Sequence, residues 1–350
     1  MRSLLTIIIP THNRPALISR AMDYYRTWGC AIIVCDSSQK PIESSYPSSI
    51  QIIHTPDFSL DRKLASAVRQ VATPYVCISA DDDFLSLHGV TAGIRFLDAH
   101  EDYVSIQGHY ILFEWVGREI VIRPMYHDRI GFHIDDADPA DRIVRSLNPY
   151  MHHIYSVHRS DVLKESLAIT LNRNLPPMAE FSTALGGMIF GKHKMLPVFW
   201  MARDCGTYTS YNYSYQDQNT ILLNPFNFIA TSDGLSYREN FAATYALHSG
   251  DSVARGRRAF DQSFEAYKRF CSGEAVEPSL RIFRLIAKKW LPKIVLNWRR
   301  LLLARISQYR VARFAGYPFN DRLSKFEWQT MKTIILKHGR ISQVEDRRLA

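Results

Sequence analysis

An α/β fold, a mostly parallel sheet flanked by helices, is what the first hundred residues predict, on three observations. The runs LLTIIIP (4–10) and AIIVCD (31–36) are short and almost wholly apolar, the pattern of strands buried on both faces. Between them Leu17, Ala21, Tyr24 and Trp28 recur at helical spacing. Polar residues then collect just after each apolar run, where the carboxyl ends of parallel strands hold ligands: Thr11 with His12, Asp36, and Asp81 to Asp83.

Each element follows from its residues. After the first strand, THNRP offers Asn13 as a helix cap and Pro15 for the first turn, and Gly29 ends that helix. AIIVCDSS is the second strand and IQIIHT (50–55) the third. LDRKLASAVRQVA is a helix that stops at Thr73, because the residue before Pro74 is pushed out of helical geometry. YVCIS (75–79) is the fourth strand. It runs directly into ADDDF, three consecutive carboxylates whose mutual repulsion calls for a cation. Further on, MHHIYSVHRS (151–160) reads as a strand. Adjacent residues on a strand face opposite ways, so His152, His153 and His158 do not read as a zinc set. The Tyr- and Ser-rich run TYTSYNYSYQDQN (207–219) suits a flexible loop covering a binding site and equally suits any polar connection.

With 350 residues and 46% hydrophobic content the chain exceeds what one core usually serves, so a large domain with an appendage or two modest domains are expected. No apolar stretch approaches the roughly 18–20 residues of a membrane-spanning helix, and the N-terminus turns polar too early for a signal peptide, which points to the cytoplasm. The five cysteines lack C-x-x-C spacing and receive no chemistry. A net charge of +9 implies an anionic partner. Much of it falls in residues 281–313, which carry no Asp or Glu and repeat Val295, Trp298, Leu302, Ile306 and Tyr309 at three and four. Such a basic amphipathic stretch either lies on an anionic membrane surface or packs its apolar side on the catalytic domain. No nucleic-acid recognition motif accompanies it, so nucleic acid is not expected as a partner.

The ordered set IPTHNRP, VCDSS, LDRKLASAVRQVATPYV and ADDDF resembles the family 2 glycosyltransferases, whose fold is GT-A, a Rossmann-like sheet. The likeness is good over residues 5–110 and looser over 150–210. It implies a domain at 1–220, with a nucleotide-sugar half (1–110) and an acceptor half (111–220), followed by a basic, mainly helical region at 221–350. It implies a metal-dependent, inverting transfer of a sugar from a nucleotide-sugar donor, UDP-linked, to a glycan or lipid-linked acceptor in surface polysaccharide synthesis. The enzyme would sit in the cytoplasm, peripherally on the inner face of the membrane.

Residue by residue, the likeness assigns Asp83 and Asp81 to Mn²⁺ or Mg²⁺, hard cations that prefer oxygen and can stabilise a departing diphosphate. It assigns Pro10, Thr11, Asp36, Lys63, Asp81, Asp82 and Arg203 to the donor. Asp36 would meet the base and Lys63, on the helix before the fourth strand, the diphosphate. Arg62 shares that helix, Arg14 flanks the same crevice, and Asp204 follows Arg203. Glu180, at the start of a helix before the turn and strand GKHKMLPVF, is implied as general base. The chain departs from the family pattern at Cys35 and Phe181, where a second acid is usual, and has no His between Lys194 and Tyr208. Those departures keep open a non-catalytic membrane adaptor. A nucleotidyltransferase on the same sheet would want a Gly-rich phosphate loop, and PTHNRP has no Gly.

Overall fold

The computed structural model describes residues 3–42, 46–56, 58–116, 118–126, 129, 131–170, 178–205, 225–272 and 321–341. The run 207–219, the basic stretch 281–313 and the domain boundary near residue 220 lie outside them.

The fold is α/β, a mixed, mostly parallel sheet flanked by helices with a helical C-terminal part. Its strands are β1 (Leu5–Thr11), β2 (Ala31–Asp36), β3 (Ile50–His54), β4 (Tyr75–Ile78), β5 (Phe84–Leu85), β6 (Tyr103–Val116), β7 (Glu119–Met125), β8 (His133–Ile134), β9 (Val157–Arg159) and β10 (Lys192–Asp204). They are ordered β3-β2-β1-β4-β9-β6-β10-β5, with β7 on β6 and β8 on β10. Strands β1, β2, β3 and β4 pair in parallel, and so do β6 and β10. The short β9, antiparallel to both β4 and β6, joins these two parallel blocks.

The chain leaves β1 toward β2 on one side and β4 on the other, which opens a crevice at their carboxyl ends. Register decides what faces it. Ile8 pairs with Ile78 and Thr11 with Asp36, so three residues past Ile78 the chain brings Asp81 level with Thr11. From the far side, Ala202 of β10 pairs antiparallel with Phe84. One step along each strand, Asp83 therefore stands opposite Arg203.

Helix α1 (Pro15–Tyr25) buries Leu17, Ile18, Ala21, Met22, Tyr24 and Tyr25 and continues in a 3₁₀ turn at Arg26–Trp28 that Gly29 closes in the left-handed region. Its first residue is Pro15, as expected. The cap position is held by Arg14 rather than Asn13; Asn13 itself adopts a positive φ of 51° that turns the chain into the helix. Helix α2 (Leu60–Val68) starts at Ser59, whose side chain accepts from Arg62 N, and ends before the predicted stop at Thr73. Helix α3 (Leu87–Ala99) is capped by Ser86. The residues 151–160 form a 3₁₀ turn, His153–Tyr155, before β9 and not one strand, which places His153 and His158 together inside the protein.

Two cores hold the molecule. The larger joins β1–β4 and α1–α3 with Trp328, Met331 and Ile335 of the C-terminal helix Arg322–His338. The smaller joins Ile143, Met178, Phe181, Leu185 and Met188 to Phe228, Tyr237, Phe241, Phe260 and Phe264 of the helices after residue 224. The helical C-terminal part thus packs into both cores. Among the described residues no helix is long and apolar enough to cross a membrane.

Candidate active site

The acidic turn is enclosed by arginines from two elements. Asp81 is 2% exposed; its Oδ2 accepts from Thr11 Oγ1 at 2.7 Å and its Oδ1 from the Arg14 guanidinium at 2.6 Å. Arg14 also reaches Asp82 at 3.3 Å. Asp83, likewise 2% exposed, accepts from Arg203 Nε at 3.2 Å and from the backbone N–H of Asp204 at 2.9 Å. Arg20, buried on α1 against the faces of Phe84 and Phe113, donates to the Asp82 carbonyl at 2.9 Å and to Asp204 Oδ2 at 3.1 Å. Burial pushes the Asp83 carboxyl up to about 7 against the pull of Arg203, and raises Asp81 against that of Arg14.

These two carboxylates do not fit a divalent ion as they stand. All four of their oxygens already accept a hydrogen bond from the protein, and neither group reaches solvent where an ion and its waters would sit. Among the described residues no three His, Cys, Asp or Glu side chains are arranged around a metal-sized point.

The other residues expected at the donor site occupy the same end of the sheet in different ways. Pro10 lies in β1 opposite Cys35. Asp36 is fully buried, and its oxygens accept from Ser38 N at 2.9 Å and Ile42 N at 3.1 Å, so it shapes the loop after β2. Lys63 points inward from α2 and donates to the Thr11 carbonyl at 2.7 Å and to Ser37 Oγ at 3.0 Å. Burial lowers its pKa, with the neighbouring Asp81 and Asp36 opposing. It ties the ends of β1 and β2 together. Arg62, its neighbour, stacks on Phe58.

Glu180 lies across the crevice in the first turn of the helix at Ala179–Phe181, which runs on through a π-helical stretch, Ser182–Gly186, to Gly187–Phe190. The turn to β10 needs Gly191, because a Cβ there would stand 2.7 Å from the Asp102 carbonyl. Tyr150 Oη donates to Glu180 Oε2 at 2.8 Å. Burial, then the Glu180 charge, pushes the Tyr150 hydroxyl well above its ordinary range, so it keeps its proton. Burial holds the nearby His152, bonded to the Tyr126 hydroxyl, well below the usual imidazole range. Arg203 spans the two ends. Burial opposes its charge, but Tyr155, Asp83 and Glu180 outweigh that and keep it protonated.

Thr11, Lys63, Asp81, Asp82, Asp83 and Arg203 thus come together at one end of the sheet, Asp36 is bonded into its own loop, and Glu180 lies within electrostatic reach of Arg203. Sequence reasoning missed Arg20 and Tyr150. Arg20 had a signal: it sits three residues from Leu17 and four from Tyr24, inside the apolar stripe of α1, where a charge needs a buried carboxylate. Tyr150 had none, since only tertiary packing brings it to Glu180.

No protein-family model and no curated protein matches the chain. Among solved structures, the fragment 1–349 of S. aureus TarS aligns at 10% identity, covering 77% of this chain and 92% of that one, with a TM-score of 0.39. Its UDP-GlcNAc complex aligns at 11% identity over the same shares with a TM-score of 0.41, and its UDP complex with 0.36. At these scores the overlap is too loose to assign function, which rests on the chain's own residues.

Proposed function

We propose that this chain is a nucleotide-sugar-dependent, inverting glycosyltransferase of the GT-A type. One observation carries this: the register of β1, β4 and β10 brings Thr11, Asp81, Asp83 and Arg203 to one crevice at the switch point of the sheet, with Glu180 on the opposite wall. Lys63 ties the strand ends beneath a nucleotide, and Asp36 holds the loop after β2 beside them. The donor's diphosphate lies toward Arg203 and Arg14.

In the transfer, an acceptor hydroxyl oxygen attacks the anomeric carbon on the face away from the diphosphate. As that C–O bond forms, the bond from the anomeric carbon to the phosphate oxygen breaks, and the leaving nucleoside diphosphate keeps its electron pair. The hydroxyl proton passes to Glu180 Oε1, while Tyr150 holds Oε2 and fixes the carboxylate's direction. Arg203, coupled to both Asp83 and Glu180, faces charge on the leaving group. A glycan or lipid-linked acceptor, with residues 281–313 resting on an anionic membrane, fits the basic composition of the chain.

The test is turnover across a panel of nucleotide sugars with candidate glycan and lipid-linked acceptors, read as released nucleoside diphosphate. The wild type turns over at least one donor and Glu180→Gln loses that activity. Persistent silence with every donor, alongside binding to anionic vesicles, would instead support a non-catalytic adaptor. Flotation with such vesicles tests the membrane contact separately, and failure to float removes it.

A further inference from the structure

We propose that Arg14, Arg20 and Arg203 supply the counter-charge of the acidic turn, and that Arg14 and Arg203 meet the donor's diphosphate in place of a divalent ion. The identity of that anion rests on the glycosyltransferase reading above; the counter-charge does not.

Three guanidinium groups stand among four carboxylates, those of Asp81, Asp82, Asp83 and Asp204. The bridges, all within 3.3 Å, are Arg14 to Asp81 and Asp82, Arg20 to Asp204, and Arg203 to Asp83. Arg20 is sealed in, with a side chain 1% exposed, and serves the fold. The other two arginines cover their partners. The Arg14 side chain is 14% exposed over an Asp81 that is 2% exposed, and Arg203 is 17% exposed over an Asp83 that is 3% exposed. An incoming ligand therefore meets guanidinium edges before it meets Asp81 or Asp83.

Guanidinium suits that ligand. It is planar, permanently charged and forked, and it pairs with phosphate oxygens through parallel hydrogen bonds. Arg203 reaches Asp83 through Nε, and its two terminal nitrogens carry four further N–H donors. A divalent ion at Asp83 would compete with both Arg203 and the Asp204 N–H for the carboxylate oxygens.

The experiment uses the full chain. Mn²⁺ is titrated with and without UDP and followed by electron paramagnetic resonance. The expected result is a free-ion signal that the protein does not attenuate in either case; one Mn²⁺ held per chain and released by Asp83→Asn would overturn the proposal. UDP binding measured in chelator is expected to match that measured with Mn²⁺, and to weaken about tenfold or more in Arg203→Gln, the size of one lost charge-assisted contact. Equal affinity of wild type and Arg203→Gln would overturn the role of Arg203. Thermal melts guard against a folding artefact: Arg203→Gln lowers Tm by several degrees, and Asp83→Asn in the same chain recovers most of that loss. A double variant melting as low as the single one would contradict the compensation. If the wild type binds no UDP under any condition, the nucleotide-sugar reading fails, while the Mn²⁺ titration still decides the counter-charge.

Discussion

The two walls of the crevice both present carboxylates but treat their charge differently. At the sheet end, Asp81 and Asp83 are buried and fixed by Arg14, Arg203, Thr11 and a backbone N–H. Across the crevice, Glu180 is half-buried and held by one neutral donor, the Tyr150 hydroxyl, in a neighbourhood where burial keeps His152 uncharged. Burial raises Asp81 and Asp83 while several hydrogen bonds hold them in place, whereas Glu180 is oriented by a single hydroxyl. Under the proposed function the first arrangement is a binding surface and the second a base.

That contrast breaks most visibly at Glu180. Glu180→Gln is expected to lower the transfer rate about 10²–10⁴-fold, the usual contribution of a positioned base, with Tm unchanged; a variant that melts early while retaining its rate would make Glu180 structural. At the other wall the order reverses. Removing the charge of Arg203 leaves Asp83 buried and unpaired, and chemical denaturation should show a loss of about 3–5 kcal/mol. A loss below about 1 kcal/mol would place the pair with ordinary surface bridges.

A third test concerns the histidines behind the acceptor wall. His153 and His193 pack ring to ring at 4.3 Å, and His158 Nε2 lies 2.9 Å from the His153 carbonyl. Burial lowers His153 to about 3 and His158 to about 4, and holds His193 well below its ordinary value. The unfolded chain takes up these protons near 6.5, where the folded chain does not. Stability therefore falls as pH drops below about 6.5 and stops falling near 3 to 4. Melting curves from pH 7 to 4 should show the decline, and His153→Phe should flatten it.

The smallest effect is expected from the C-terminal helix. Glu327 accepts from the Ser86 hydroxyl and from His88 N at 2.7 Å, capping α3 just past the acidic turn. Glu327→Gln should cost about 1 kcal/mol, a typical cap, and barely move the rate. A large rate loss would mean that this helix sets the position of Asp83.

The parallel block was legible because LLTIIIP, AIIVCD and YVCI are buried on both faces and read as unbroken apolar runs. The acidic turn was legible because three adjacent carboxylates need compensation, but its partners were not. Arg14 and Arg20 at α1 and Arg203 in β10 lie far in sequence from that turn, and only tertiary packing and strand register bring them to it. Asp36 is ambiguous for a related reason: a carboxylate after a strand serves a ligand or its own loop equally well, and here its oxygens accept from Ser38 N and Ile42 N. His152 and His153 read as strand residues because Ile154, Tyr155 and Val157 favour strands, yet the chain must turn there to enter β9 between β4 and β6. The attachment of helix Arg322–His338 to the first core had no local signal, since its anchors Trp328, Met331 and Ile335 would suit any apolar surface.

Calorimetry of UDP with the full chain in excess chelator tests the central claim most directly. The account predicts saturable binding at one site per chain, with heat and affinity that Mn²⁺ does not change and that Arg203→Gln diminishes. Heat that appears only once Mn²⁺ is restored would contradict it.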